Sequence, residues 1–388
     1  MAPSKRRIRG EGSLYQRKGD GRWVGSFYSE EGKRISVYGD TQKEALEKLK
    51  AAQREYEQGK LATGPNQTVK HYLEYWLEDV HKSTIRLSSY LRYRQLLDIH
   101  ILPTLGHIQL KKLTPQHIQA LYGRKLKEGL SAGSVRFMHA VLHKALDNAL
   151  HINLVARNVC DVVSPPRKTK YEIQVLNEEQ AHKLLAVAQG HRLEALLVLA
   201  LTTGLRRGEL LALRWHDINF EDRSLQVRRT VNRYTGHGFV ETEPKTPKSR
   251  RKITIPQFAV EMLRQHRTRQ LEARLQVGTA WQEHDLVFCN TSGNFLLSDR
   301  LREMLEKLLK EAELPHMRFH DLRHSAATIL LSMGIHPKVV QELLGHSTIS
   351  LTMDTYSHVL PSMHQNAMDR MDNLFGQSGQ SYQDTREE

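Results

Sequence analysis

The chain has 388 residues, of which 39% are hydrophobic and 26% charged, which excludes a disordered chain and fits two or three globular domains. A formal net charge of +14 points to a polyanionic partner, most often nucleic acid, although charge alone can also serve solubility. Two cysteines, Cys160 and Cys289, without CxxC spacing exclude a disulfide framework and a cysteine-rich zinc site.

The opening MAPSKRRIRGEGS is basic with no apolar run behind it, so no secretory signal is expected. GSLYQRK, RWVGSFY and KRISVYG then read as three short strands separated by Gly-Asp-Gly and Glu-Glu-Gly turns. A helix follows from Thr41, with Thr41 and Glu44 as a capping box and Ala45, Leu49, Ala52 and Tyr56 on the face that covers the sheet. The other sheet face carries charged and aromatic side chains among Tyr15, Arg17, Arg22, Trp23 and Arg34. It is either a solvated face or a surface laid into a DNA groove.

GKLATGPNQ is a linker, and a helical region follows. Tyr72, Trp76 and Val80 recur at helical spacing, and Thr114-Pro115 places a cap before a first-turn proline. From Ser131, an apolar stripe runs through Val135, Met138, Leu142, Ala145, Leu146 and Ala149. Lys82, Arg86 and Arg136, with Arg92 and Arg94, are interleaved with this core. Singly each is a solvated helix residue; together they can meet phosphates along a groove. After the basic linker PPRKTKYE, Asn177 and Gln180 mark a helix start near Leu176. The apolar run LEALLVLALTTGL from Leu193 is too short to span a bilayer, so no membrane association is expected and a cytosolic, reducing compartment is. LQVRRTV, GFVETE and RRKITIP read as three strands of a small sheet, and the terminal GQSGQSYQDTREE lacks core-forming residues.

Six residues in the second half suggest chemistry: Arg206 in TGLRRGELLALRW, Lys245 in PKTPKSRRKITIP, His320 and Arg323 in HDLRH, His346 in LGHS, and Tyr356 in LTMDTYSHV. Guanidinium presents paired donors that match phosphate oxygens and stays charged near neutral pH. Imidazole titrates near neutrality and suits proton transfer, and His320 and Arg323, three apart on a helix, share a face. A phenol titrates near pH ~10, so Tyr356 needs activation to act as a nucleophile; a lysine, titrating near ~10.4, keeps its proton available as an acid. Lys248 and Lys252 compete with Lys245 for that role, and Arg207 with Arg206. His320 and His324, four apart, also resemble a zinc-ligand pair, but Arg323 in that turn would oppose the ion and Asp321 stands where a glutamate is expected. No paired carboxylates suited to two magnesium ions are visible, so neither metal nor other cofactor is expected.

Taken together, these boxes resemble those of the tyrosine recombinases, the phage-integrase family, over roughly the last half of the chain. The resemblance selects Arg206 because the family places its arginine three residues before an acid, here Glu209. It selects Lys245 through the Lys-Thr pair followed by SRR, and it places a nucleophilic tyrosine about ten residues after LGHS, as Tyr356 is. It implies attack by Tyr356 on a DNA phosphate to give a 3′-phosphotyrosyl link, with Arg206 and Arg323 clamping the phosphate, His346 contacting it, His320 exchanging the tyrosine proton and Lys245 protonating the leaving 5′ oxygen. It also implies a multidomain, mainly α fold with small β-sheets. An arm-type α+β DNA-binding unit spans 1–62, a helical core-binding domain 63–167, a mixed α/β catalytic domain 168–375 and a disordered tail 376–388. The implied partners are double-stranded attachment-site DNA, a homotetramer on that DNA through a four-way junction, and an accessory DNA-bending or excision factor of host or element. Alternatives are a type IB topoisomerase-like enzyme and a catalytically silent DNA-binding regulator. The stripe Met363, Ala367, Met371 and Leu374 packs either within its own chain or on a neighbouring subunit.

Overall fold

The computed structural model describes residues 12–28, 32, 34–57, 66–168, 173–244, 249–345 and 348, with 368, 369, 371, 372 and 375. The chain divides into two units, Met1–Lys170 and Tyr171–Glu388.

At the start of the first unit, β1 (Ser13–Gln16), β2 (Trp23–Tyr28) and β3 (Arg34–Gly39) form an antiparallel sheet in that order. The helix α1 (Gln42–Glu57) covers it, burying Phe27, Leu49 and Ala52 with Ile35, Val37 and Tyr56 packed around them. Thr41 Oγ1 accepts from Glu44 N at 3.2 Å, while the Glu44 carboxylate reaches back one position further than a capping box would, to Asp40 N at 2.9 Å. Strand alternation corrects one expectation: Trp23 shares its side of β2 with Gly25 and Phe27, the helix side, and leaves Tyr15 and Arg34 on the outer face.

The helical region contains α2 (Val69–Tyr75), α3 (Leu87–Leu96), α4 (Leu102–Leu105), α5 (Pro115–Lys127) and α6 (Ala132–His151). Thr68, Thr114 and Ser131 cap α2, α5 and α6, each accepting from the backbone N–H three residues on. The stripe of α6 is wholly buried against Tyr72, Trp76, Ile118 and Leu121. Tyr72 carries its hydroxyl into this core and satisfies it by donating to Ala145 O. At Trp76–His81 and again at Leu97–Ile101 the helical path widens into π-helical turns.

The second unit opens with α7 (Glu178–Val187), capped by Asn177 as expected, and α8 (Glu194–Thr203). All but one residue of α8 is buried, which explains why this helix reads as an uninterrupted apolar run. Then come α9 (Arg207–Leu211), β4 (Ile218–Asn219), β5 (Ser224–Val227), β6 (Thr230–Tyr234), β7 (Gly238–Thr242) and β8 (Arg251–Thr254). The helices α10 (Gln257–Val277), α11 (Ser298–Glu311), α12 (Asp321–Ser332) and α13 (Pro337–Leu344) follow.

The strands depart from the expected single sheet. LQVRRTV is divided: β5 joins β4 and β8 in one sheet, and β6 pairs with β7 in another. Asp217, with its side chain 1% exposed, draws Arg229 to 2.8 Å and Arg228 to 3.6 Å at the break, so the run cannot continue flat. As a consequence β7 and β8, which flank Lys245 in sequence, do not pair with each other.

Candidate active site

Three chain turns converge beside one cavity. The first follows α8, where Gly204 takes a left-handed conformation (φ 59°) that ends the helix. Arg206 then stands at the N-terminus of α9, and Glu209 folds back on it: its carboxylate accepts from Arg206 N at 3.0 Å and from Arg206 Nη1 at 2.8 Å. The second turn precedes α12. Asp321 is fully buried and accepts from Arg318 N, Nε and Nη2 at 2.9, 3.1 and 2.8 Å, a clasp that sets the placement of His320 between them. The third is the end of α13, where Gly345 is again left-handed (φ 67°).

Side-chain bonds tie these turns together. Arg206 Nη2 donates to Gly345 O at 3.1 Å. Arg323 Nη1 donates to Gly204 O at 2.7 Å and its Nη2 to Leu344 O at 2.8 Å, so one guanidinium joins the ends of α8 and α13. The cavity, of about 950 Å³, is lined by Arg206, Thr230, Asn232, Pro244, Ser249, Arg302, Arg318, His320 and Gly345 among others. Arg206 and His320 therefore reach it as the sequence suggested. Arg323 does not line it: it is 3% exposed and sits behind the wall, holding the two helix ends. Lys245, His346 and Tyr356 lie outside the described residues, but Pro244, Ser249 and Gly345, neighbours of the first two in sequence, line the cavity.

Burial and neighbouring charges shift the ionisable groups around these turns. Burial would raise the pKa of the Glu209 carboxyl, but Arg251 and Arg206 outweigh it and hold the group below the usual carboxylate range. Burial and the neighbouring Arg323 charge lower the His320 pKa, which keeps the imidazole neutral and able to accept a proton. His324, edge-on to His320 at 5.1 Å between ring centroids, is pushed down to about 4 by burial and by His320. Among the described residues no three His, Cys, Asp or Glu side chains gather as a metal site would require.

Arg251 was not singled out in the sequence, yet it is central: its side chain is 8% exposed and pairs with Glu209 at 3.1 Å. Strand alternation carried the signal, because Arg251 falls on the same side of β8 as the buried Ile253 and not with Lys252.

The candidate DNA contacts are scattered over the first unit. Arg34 lies over the Tyr15 ring at 5.7 Å and donates to its hydroxyl, and the exposed Tyr28 and Tyr38, which sequence reasoning missed, share that outer sheet face. Arg17 and Arg22 flank the β1–β2 turn and pair loosely with Asp20 and Asp40. Lys82 bonds Glu78 at 2.9 Å and lies over the Tyr90 ring; Arg86 is exposed at the start of α3. Arg136 donates to Pro166 O, so it also fastens the segment that follows the helices. Of the late stripe, Met371 is exposed, and Met363, Ala367 and Leu374 lie outside the described residues. No helix among the described residues is long and apolar enough to cross a membrane.

Residues 174–363 match the phage integrase family, and residues 68–126 match the phage integrase N-terminal SAM-like domain. A tyrosine recombinase XerC-like protein of Caldanaerobacter subterraneus subsp. tengcongensis is 32% identical over 360 residues, spanning 88% of this chain and 92% of its own. An integrase of Streptomyces ambofaciens is 30% identical over 395 residues, spanning 96% of this chain and 98% of its own. Among solved structures, the Tn1549 transposon integrase in complex with circular intermediate DNA has a TM-score of 0.66 at 22% identity, over 79% of this chain and 100% of that one. A lambda integrase dimer bound to a core site has a TM-score of 0.56 at 19% identity, over 88% of this chain and 94% of that one. These structures share the fold; the sequence relatives go further, and with identity of this order sustained along nearly the whole chain the protein belongs to the phage integrase family, the tyrosine-type site-specific DNA recombinases.

Proposed function

We propose that this recombinase integrates or excises a mobile element, using Tyr356 as the nucleophile on DNA held over the cavity of the second unit. The observation that carries the reading is the convergence of Arg206, His320, Pro244, Ser249 and Gly345 on one cavity, since the last three border the segments that bear Lys245 and His346.

The phenol oxygen of Tyr356 forms a bond to phosphorus, and the bond from phosphorus to the 5′ oxygen breaks. The phenol proton passes to the neutral imidazole of His320, and Lys245 gives a proton to the departing 5′ oxygen. Arg206 binds the phosphate from the cavity side. Arg323 acts from behind, and the phosphate competes for the guanidinium edge that Leu344 O now occupies. His346 adds a further phosphate contact. The ester stores the bond energy, so a partner strand's 5′ hydroxyl reverses the step without ATP and without a metal.

The unit at 1–62 binds a second class of DNA site through the outer face carrying Tyr15 and Arg34 with Arg17 and Arg22 at its turn, and residues 63–167 bind the core site using Lys82, Arg86 and Arg136. A lambda integrase tetramer has been solved on a Holliday junction. For this chain we infer the same stoichiometry on cytoplasmic DNA, with an accessory bending or excision factor setting direction. Relatives named recombinase and integrase favour strand exchange over the swivelling of a topoisomerase and over a silent regulator.

Tyr356→Phe tests the centre of this reading. On nicked core-site DNA the variant is expected to bind as wild type does and to form no covalent adduct. A normal adduct yield would remove Tyr356 from the mechanism.

A further inference from the structure

The Arg251 guanidinium uses all three nitrogens on three different parts of the second unit. Nη2 donates to Glu209 Oε2 at 3.1 Å, Nε to Leu343 O at 2.8 Å and Nη1 to Ser249 O at 3.1 Å. Glu209 in turn holds both the backbone and the guanidinium of Arg206. Leu343 lies in the last turn of α13, two residues before Gly345, whose carbonyl accepts from Arg206. Gly345 itself packs on the guanidinium: a Cβ there would lie 3.0 Å from Arg251 Nη1. Ser249 closes the segment that begins at Pro244, and both of these ends line the cavity.

A buried arginine paired with a buried glutamate is weak evidence for stability, because the cost of desolvating two charges offsets most of their attraction. A planar fork with bonds on every edge does fix the relative position of its partners, which a lysine's single ammonium cannot reproduce. The partners here are the group that orients Arg206, the helix end that receives Arg206, and the end of the lysine-bearing segment.

We propose that Arg251 is a positioning residue for DNA cleavage: through Glu209 and the end of α13 it sets the placement of Arg206 at the phosphate. Arg251 does not line the cavity, so its role is exercised through these partners and not by binding the phosphate. The inference rests on the proposed role of Arg206 as phosphate clamp.

The test uses the full chain and a double-mutant cycle. Wild type, Arg251→Met, Arg251→Lys, Arg206→Lys and the double variant R206K/R251M are compared for core-site affinity by gel shift and for single-turnover adduct formation on nicked DNA. Arg251→Met is expected to slow adduct formation by about 100-fold, the scale seen when one oriented donor is lost from a developing charge. Arg251→Lys, which keeps the charge without the fork, is expected to lose about 10-fold. DNA affinity should stay within about threefold of wild type, because Arg251 is buried behind the cavity and not on its lining. The double variant should be no more than about threefold slower than Arg206→Lys alone, since residues acting through one another are not additive.

Wild-type rates for Arg251→Met, or a double variant slowed by the full product of the two single effects, would overturn the inference. If Arg251→Met does not fold because Glu209 is left unpaired, E209Q/R251M removes both charges and is read by the same assays against E209Q alone, and equal rates for the two would overturn the inference. Failure of that variant to bind core DNA would reduce Arg251 to a stability element and overturn the inference equally. A wild-type rate for Arg206→Lys and also for Arg206→Ala would instead sink the proposed clamp role of Arg206, whereas slow Arg206 variants beside a fast Arg251→Met would sink the inference alone.

Discussion

Replacing Gly204 with alanine should damage this enzyme out of proportion to the one methyl group added. Gly204 has φ 59°, where a side chain costs about 1 kcal/mol or somewhat more. The new Cβ would also lie 2.3 Å from Leu344 Cδ2, far inside contact distance. Leu344 is fully buried in a small cluster with Ala327, Leu331 and Val340, so it has nowhere to retreat without shifting α13. Overpacking of this kind costs about 1–3 kcal/mol, which brings the sum to about 2–4 kcal/mol. For a unit of this size each kcal/mol moves the melting point by about 2–4 °C, so a fall of about 5–15 °C is expected by circular dichroism. Cleavage should fall further than the folded fraction does, because moving Leu344 disturbs the carbonyl that accepts from Arg323 and the Gly345 carbonyl that accepts from Arg206. The steric part can be isolated. In a Leu344→Ala background the clash is gone, and Gly204→Ala should then cost only about 1 kcal/mol, the backbone share. Full additivity of the two substitutions, or a single variant that melts within about 1 °C of wild type, would refute this account.

Two further outcomes are expected. His324 is lowered from its ordinary value of 6.5 to about 4 in the folded chain, so the unfolded chain binds the extra proton first as pH falls. Stability should therefore be unaffected by this group above pH 6.5 and decline between about 6.5 and 4; His320, shifted in the same direction, adds to the decline. His324→Gln should flatten that decline by about 1–2 kcal/mol, a value reduced from the full shift because solvent reaches this ring, and urea titrations with an unchanged slope across that window would contradict it. Removing residues 1–62 should spare cleavage of a core site and abolish protection of a second class of DNA site. Identical footprints of the full and shortened chains on attachment-site DNA would show the arm-binding role to be wrong.

Local chemistry was legible in the sequence. Asn177 and Thr114 cap helices where their side-chain oxygens predict, and the stripe of α6 is buried because its spacing leaves no other face for it. The family boxes were legible for the same reason: Arg206 with Glu209, or His320 with Arg323, is a short-range pattern. Tertiary structure decided what depends on partners far along the chain. LQVRRTV reads as one strand until the buried Asp217 turns its two arginines aside. For Arg323, the sequence could not supply the carbonyls its donors meet, Gly204 O, 119 positions earlier, and Leu344 O, 21 positions later. Arg251 reads as one cation in a basic run until folding brings Glu209 and Leu343, 42 and 92 positions away, to the two edges of its guanidinium. A side chain's local propensity is set by its neighbours in sequence, whereas the carbonyl or carboxylate that satisfies a buried guanidinium is whichever one the packed fold delivers.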